Sequence, residues 1–148
     1  MRQSIESLDD QFAGLHRQSC DLIKGLSPDL LYLKARKSDS CGEQVLRSAA
    51  AVERAFGGLT ANLWDDPFEW TLPETLTTTE KVIEYLAEVE VTRRRAFAAF
   101  KSDLDLWKEI MTPSGKTQLL PFLLDTLQRA RHHQQRASEA FVQLTTDN

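Results

Sequence analysis

Residues 117–144 read TQLLPFLLDTLQRARHHQQRASEAFVQL, and the winding of this run decides the architecture. Its apolar residues recur at steps of three and four, which at 3.6 residues per turn form one stripe along a helix. Pro121 falls in the first turn, where a missing N–H costs little. The spacing predicts a helix from about Thr117 to Leu144 that buries Leu120, Leu124, Leu127, Arg131, Gln134, Ser138 and Phe141, with Gln135 on the flank. At about 100° per residue, Arg131 lies within roughly 20° of the centre of that face and Gln135 about 60° from it. His132 and His133 then point outward as surface residues. An arginine on a core stripe needs a partner or water. Arg131 therefore either carries its guanidinium out to solvent at the bundle end or lines a pocket.

Working back from this helix, three more segments have the same periodicity. Ile5, Leu8, Phe12, Leu15, Ser19, Leu22 and Leu26 mark a helix over about Ser4–Leu26, which Gly25 and Ser27-Pro28 end. Asp29–Lys34 suits one more turn before a polar link at Lys37-Ser38-Asp39-Ser40. A second helix over Gly42–Trp64 carries Val45, Ala49, Val52, Phe56, Leu59 and Leu63 on one stripe, and its alanines and glycines would admit a close neighbour. After a loop with Pro67, Trp70 and Pro73, Thr77 and Glu80 form a capping-box pattern. The third helix runs from there to about Ser102, with Val82, Leu86, Val89, Arg93, Ala96 and Phe100 inward. Asp103–Gly115 connects to the last helix, where Leu104, Leu106, Trp107 and Ile110 are expected to cover one end of the core. No strand pattern stands out. Four long amphipathic helices predict an all-α four-helix bundle, a single domain over residues 1–148.

The bulk properties agree with a globular domain. The chain has 148 residues, 41% hydrophobic and 27% charged, enough to bury a core. Its net charge of −4 gives no electrostatic reason to expect nucleic acid. No apolar run approaches the roughly 18 residues of a membrane span, and the start lacks a signal-peptide core. No membrane association and a cytoplasmic location are expected. Cys20 and Cys41, without CxxC spacing, read as free thiols.

Several residues carry potential chemistry. Arg93 and Arg131 place two arginines inward from two helices. They could pair with Glu43, Glu90 or Asp125, or leave a cationic cavity that suits a carboxylate or phosphate. His16 and Cys20 are a one-turn pair able to bind zinc, but nothing nearby completes a site. Arg93-Arg94-Arg95 reads as a solvated surface with one inward member. Gly57-Gly58 sits inside a helical pattern and is no phosphate loop. Trp64, Trp70 and Trp107 lie near helix ends or in loops, where they lid a core.

The second and last helices resemble those of the DinB-like (DinB/YfiT) four-helix bundles. Against that family's W-S-x-x-E-x-L-x-H-L-x-x-x-E pattern stands Ser40-Cys41-Gly42-Glu43-Gln44-Val45-Leu46-Arg47-Ser48, continuing to Glu53. Ser48 takes the histidine's place, or Arg47 with a one-residue shift. Against the last helix's H-x-x-x-H-R-G-Q stands Arg131–Ser138, with Arg131 and Gln135 in the histidine places. Helix order, the long third connection and length extend the likeness over nearly the whole chain. Family members with the three histidines bind zinc or nickel at one bundle end, and several act in thiol transfer. Serine and glutamine are poor ligands and arginine stays protonated. The resemblance thus implies the fold and a pocket, with no metal or other cofactor. The expected function is binding of a small, anionic molecule by Ser48, Arg93, Arg131 and Gln135. The alternatives are a metal-dependent thiol S-transferase or hydrolase with altered ligands, and a non-catalytic interaction module. A homodimer is expected from the family's habit.

Overall fold

The computed structural model describes residues 1–34, 39–69, 71 and 73–146. Among them are four α-helices, α1 (Gln3–Lys24), α2 (Cys41–Ala61), α3 (Thr79–Ala99) and α4 (Leu119–Thr146). An antiparallel hairpin of β1 (Glu109–Thr112) and β2 (Gly115–Gln118) precedes α4. The all-α four-helix arrangement is as the periodicity predicts, and the hairpin corrects the reading of residues 103–115 as strand-free. Each strand has only four residues and buries neither face fully, so it leaves almost no alternating apolar signal. A Pro113-Ser114 loop joins them, with Gly115 at φ 115°, a backbone conformation that favours glycine.

The helices form a ring in the order α1, α3, α2, α4. The most extensive pairing is α2 with α4, followed by α2 with α3, α1 with α3 and α1 with α4. Consecutive α1 and α2 meet only slightly across the diagonal. Phe12, Phe56 and Phe97, one each from α1, α2 and α3, pack with ring centroids 5.2, 5.9 and 5.4 Å apart. All three are essentially inaccessible to solvent. Truncating a core phenylalanine of this kind costs about 3–5 kcal/mol, so this triad ties three helices into one unit.

Local chemistry fixes the helix ends. Ser40 caps α2 by accepting the Glu43 N–H at 3.1 Å. Asn62 ends it in the left-handed region, φ 55°, its N–H on the Gly58 carbonyl. The chain then folds back so tightly that a Cβ on Gly58 would lie 2.2 Å from the Trp64 ring. On α3 the cap is Thr78, which accepts from Lys81 N–H, rather than Thr77. α1 has no side-chain cap of its own; the Asp103 carboxylate, from the connection 99 residues on, accepts Ser4 and Ile5 N–H. Those N–H groups hold Asp103 below the usual carboxylate range.

Near that connection, Leu104 and Trp107 are exposed, while Leu106 is buried and Ile110 half-buried. Only part of the predicted end cover therefore forms. The turn predicted at Asp29–Lys34 is a short 3-10 helix over Pro28–Leu30. Lys37, Ser38 and Trp70 lie outside the described residues.

Candidate functional site

Of the four residues predicted to line a pocket, the structure brings two together. Ser48 and Arg93 are both buried and border one small cavity of about 30 Å³ among α1, α2 and α3. That is room for water, not for an organic anion. Their polar groups are also engaged. Ser48 Oγ donates to the Ala130 carbonyl at 2.8 Å, and Arg93 donates to the carboxylates of Asp9 and Glu90. Arg93 thus takes Glu90 from the expected partners and adds Asp9. Glu43 is bonded to Ser40, and Asp125 pairs with Arg129.

Arg131 and Gln135 are both exposed, which corrects the expected placement of Arg131 on the buried face and of Gln135 on its flank. Arg131 donates to Gln11 of α1 at the surface. The buried face of α4 is Leu119, Leu123, Thr126, Leu127, Ala130, Gln134, Ala137, Ala140 and Leu144. The physical reason is the close α2–α4 approach: small Ala130 and Ala137 face inward, while large Leu124 stays 48% exposed. A stripe drawn through the largest apolar residues was therefore rotated from the true one. Gln134 sits at its centre, donating to Leu15 carbonyl at 2.7 Å and Ser19 Oγ at 2.8 Å.

His16 and Cys20 are neighbours as their spacing predicts, with Nε2 3.6 Å from Sγ, and His16 Nδ1 lies 3.8 Å from Glu90. Burial pushes the thiol up and the imidazole down. Among the described residues no three His, Cys, Asp or Glu side chains gather as a metal ion would need.

The rotated α4 opens a different site, a cleft of about 920 Å³ between α2, α4, the hairpin tip and the 62–69 segment. Its floor is the small-residue face Ala50, Ala51 and Ala55 of α2 with Phe122 of α4. Trp64 meets Phe122 edge-on at 5.8 Å, and Arg47 stacks 4.1 Å above the Phe68 ring. Arg47, Arg54, Lys116 and Arg129 line it against Asp66 and Asp125, and Asp39 pairs with Arg47 at 3.3 Å, which leaves a surplus of one positive charge. Arg54 is anchored through Nε to the Trp64 carbonyl at 2.7 Å, and Lys116 makes no ion pair among the described residues.

His132 and His133 also line this cleft, their rings 5.6 Å apart. His132 is exposed, as expected, but His133 is half-buried. Its Nδ1 lies 2.9 Å from Gln44 Oε1, and Gln44 Nε2 donates to Asp39 at 3.1 Å. Burial first, then the neighbouring His132, Arg47 and Arg136, lower the His133 pKa from 6.5.

Of the two residues the second helix offered, Arg47 reaches the cleft and Ser48 does not. The cleft residues Arg54, Lys116 and Arg129 were missed. Each reads in sequence as an ordinary surface cation, and only the packing of the hairpin and the 62–69 segment against α2 and α4 gathers them. No protein-family model matches the sequence, and no curated protein matches it.

Proposed function

We propose that this bundle binds a small organic anion in the cleft between α2 and α4. The observation that carries it is the surplus of cations there, including Lys116, which has no ion pair among the described residues, in a chain of net charge −4. Guanidinium forks suit carboxylate or phosphate, and the Phe68, Trp64 and Phe122 rings offer an apolar wall for the rest of the molecule. Reading the chain as a DinB-like bundle that has lost its metal belongs to the same proposal. The four long helices, the long connection before the last one and Arg47 at the cleft support it. The divalent ion of that family does not fit here. Ser48 spends its hydroxyl on α4, Arg131 and Gln135 face solvent, and the cleft's own surplus charge repels a cation.

Titration with benzoate, phenylphosphate and phenylpyruvate, followed by amide shifts of cleft residues, tests the reading. We expect salt-sensitive binding, weakened about tenfold or more by Lys116→Glu, because reversing a nearby charge is worth at least about 1.4 kcal/mol. Binding that ignores both salt and Lys116→Glu, or no shifts with any of the three, refutes it.

A further inference from the structure

The cleft holds a base as well as cations. Gln44 lies between two groups of opposite demand. The Asp39 carboxylate only accepts, so the Gln44 amide nitrogen must face it, as the 3.1 Å bond shows. The amide oxygen then faces His133, and an oxygen requires a donor. Nδ1 of His133 must carry the proton, which leaves the lone pair of the neutral ring on Nε2. Nε2 makes no hydrogen bond among the described residues, and the ring borders the cleft. An oriented base with its acceptor nitrogen open to a binding site is the arrangement of a general base with its positioning group.

We propose that His133 is the general base of a proton-transfer reaction on a small enolisable carboxylate, a 2-oxo acid, bound in this cleft. The inference rests on the anion-binding reading of the site. The substrate class follows from what imidazole can do. A base of that strength removes a proton from carbon only where the electrons can move onto a carbonyl oxygen that meets a positive charge. A 2-oxo acid has its carboxylate and its activating carbonyl on adjoining carbons, and guanidinium groups of Arg47 and Arg129 line the same cleft. In the step, Nε2 takes the proton from the carbon beside the carbonyl. The C–H electron pair becomes a C=C bond and the carbonyl π pair moves to oxygen, giving an enolate. The imidazolium returns the proton to that carbon or to the enolate oxygen. Nothing is oxidised, and no co-reactant is consumed.

The surroundings keep the ring neutral at pH 7. Burial disfavours its protonation most, followed by His132 on α4, Arg47 on α2 and Arg136 on α4, while Asp39 favours it, and Lys116 and Asp66 lie on the far walls. The lowering extends the neutral base form to pH values below the usual imidazole range.

The test uses the full chain in D2O with phenylpyruvate and pyruvate, reading by NMR the exchange of the protons beside the carbonyl. Exchange should exceed the protein-free rate, and His133→Gln should lose about 100-fold or more with binding retained. Gln44→Glu places a carboxylate against Nδ1 and should move the acidic limb of the pH profile upward. Nitrogen-15 spectra should show neutral His133 as the Nδ1–H tautomer. Phenylpyruvate that binds but exchanges at the protein-free rate overturns the base and leaves the cleft reading standing. So does a His133→Gln protein that exchanges as fast as the parent, or an Nε2–H tautomer. No binding of either acid overturns both.

Discussion

Arg93 is the largest fully buried side chain among the described residues, and replacing it with methionine separates a structural role from a ligand-binding one. Methionine fills much of the arginine stem's space, so the main loss is the charge. Two carboxylates are then left behind. Asp9, with 38% of its side chain exposed, regains water and contributes little. Glu90, only 14% exposed, keeps Arg94 at 3.7 Å but loses its buried partner. Orphaning one side of a fully buried pair costs about 3–5 kcal/mol, and the remaining partner and solvent bring this to about 3 kcal/mol at pH 7. For a chain of this size that lowers Tm by about 6–12 °C.

The pH dependence of that loss identifies its source. Burial already raises the Glu90 pKa in the parent protein, and losing Arg93 raises it further. A group whose folded pKa lies above its unfolded value favours folding at low pH and loses that contribution as pH rises through the folded pKa. The deficit of Arg93→Met should therefore shrink from pH 7 towards pH 4.5. The double variant Glu90→Gln/Arg93→Met should recover about half of it at pH 7, since no buried carboxylate is left to desolvate. Urea unfolding followed by tryptophan fluorescence and circular dichroism measures both. Anion binding in the α2–α4 cleft should be unchanged, because Arg93 borders the other cavity. A stable, folded Arg93→Met protein that has lost anion binding refutes the reasoning and restores Arg93 to the ligand site.

Three further outcomes follow from single sites. Gly58→Ala puts a Cβ 2.2 Å from the Trp64 ring, which must leave its seat against Phe122; we expect a loss of about 1–3 kcal/mol and red-shifted emission, and unchanged emission would contradict the close approach. Burial raises the pKa of Glu53, which accepts from Tyr85 Oη at 2.6 Å, so the parent loses stability as pH rises through that value. Glu53→Gln should be the more stable protein at pH 8, with the difference closing by pH 4, in parallel urea titrations. Cys41 is fully buried with its thiol pushed up to about 12, whereas Cys20 is half-buried, so N-ethylmaleimide should label Cys20 first in the native protein, and mass spectrometry showing Cys41 first would contradict the packing.

The number and rough limits of the helices were legible because each is long and carries a three-four repeat that no short strand could imitate. The inward arginine of the Arg93-Arg94-Arg95 run was legible for the same reason. The face of α4 was not. Its inward residues are mostly small, and Ala130, Ala137 and Ala140 mark the core by permitting close approach, which a hydrophobicity stripe underweights. Ser40-x-x-Glu43 and Asn62 carry the capping chemistry that ends α2, but the periodicity put Ser40 in the link and ran the helix on to Trp64, because a stripe of apolar residues does not register where the backbone leaves the helix. The hairpin stayed hidden because a four-residue strand with exposed Met111 and Lys116 carries no pattern of its own. The cleft was out of reach for a deeper reason: its cations come from α2, α4 and the hairpin, and only tertiary packing brings them to one place.

Where those cations sit decides what kind of anion the fold can hold. The cleft, with the Asp39 that pairs with Arg47, carries one positive charge in excess while the whole chain is at −4, so the rest of the molecule is more acidic than its net charge suggests. A polyanion too long for the cleft would have to extend over the remainder of a chain whose net charge is negative. A molecule small enough to sit inside meets the guanidinium groups within a few ångströms, closer than the roughly 8 Å over which physiological salt screens them. Low-dielectric walls of alanine and aromatic side chains strengthen that attraction. On the proposed anion-binding reading, a local cationic patch in a chain of net negative charge favours a compact monoanion or dianion over an extended one.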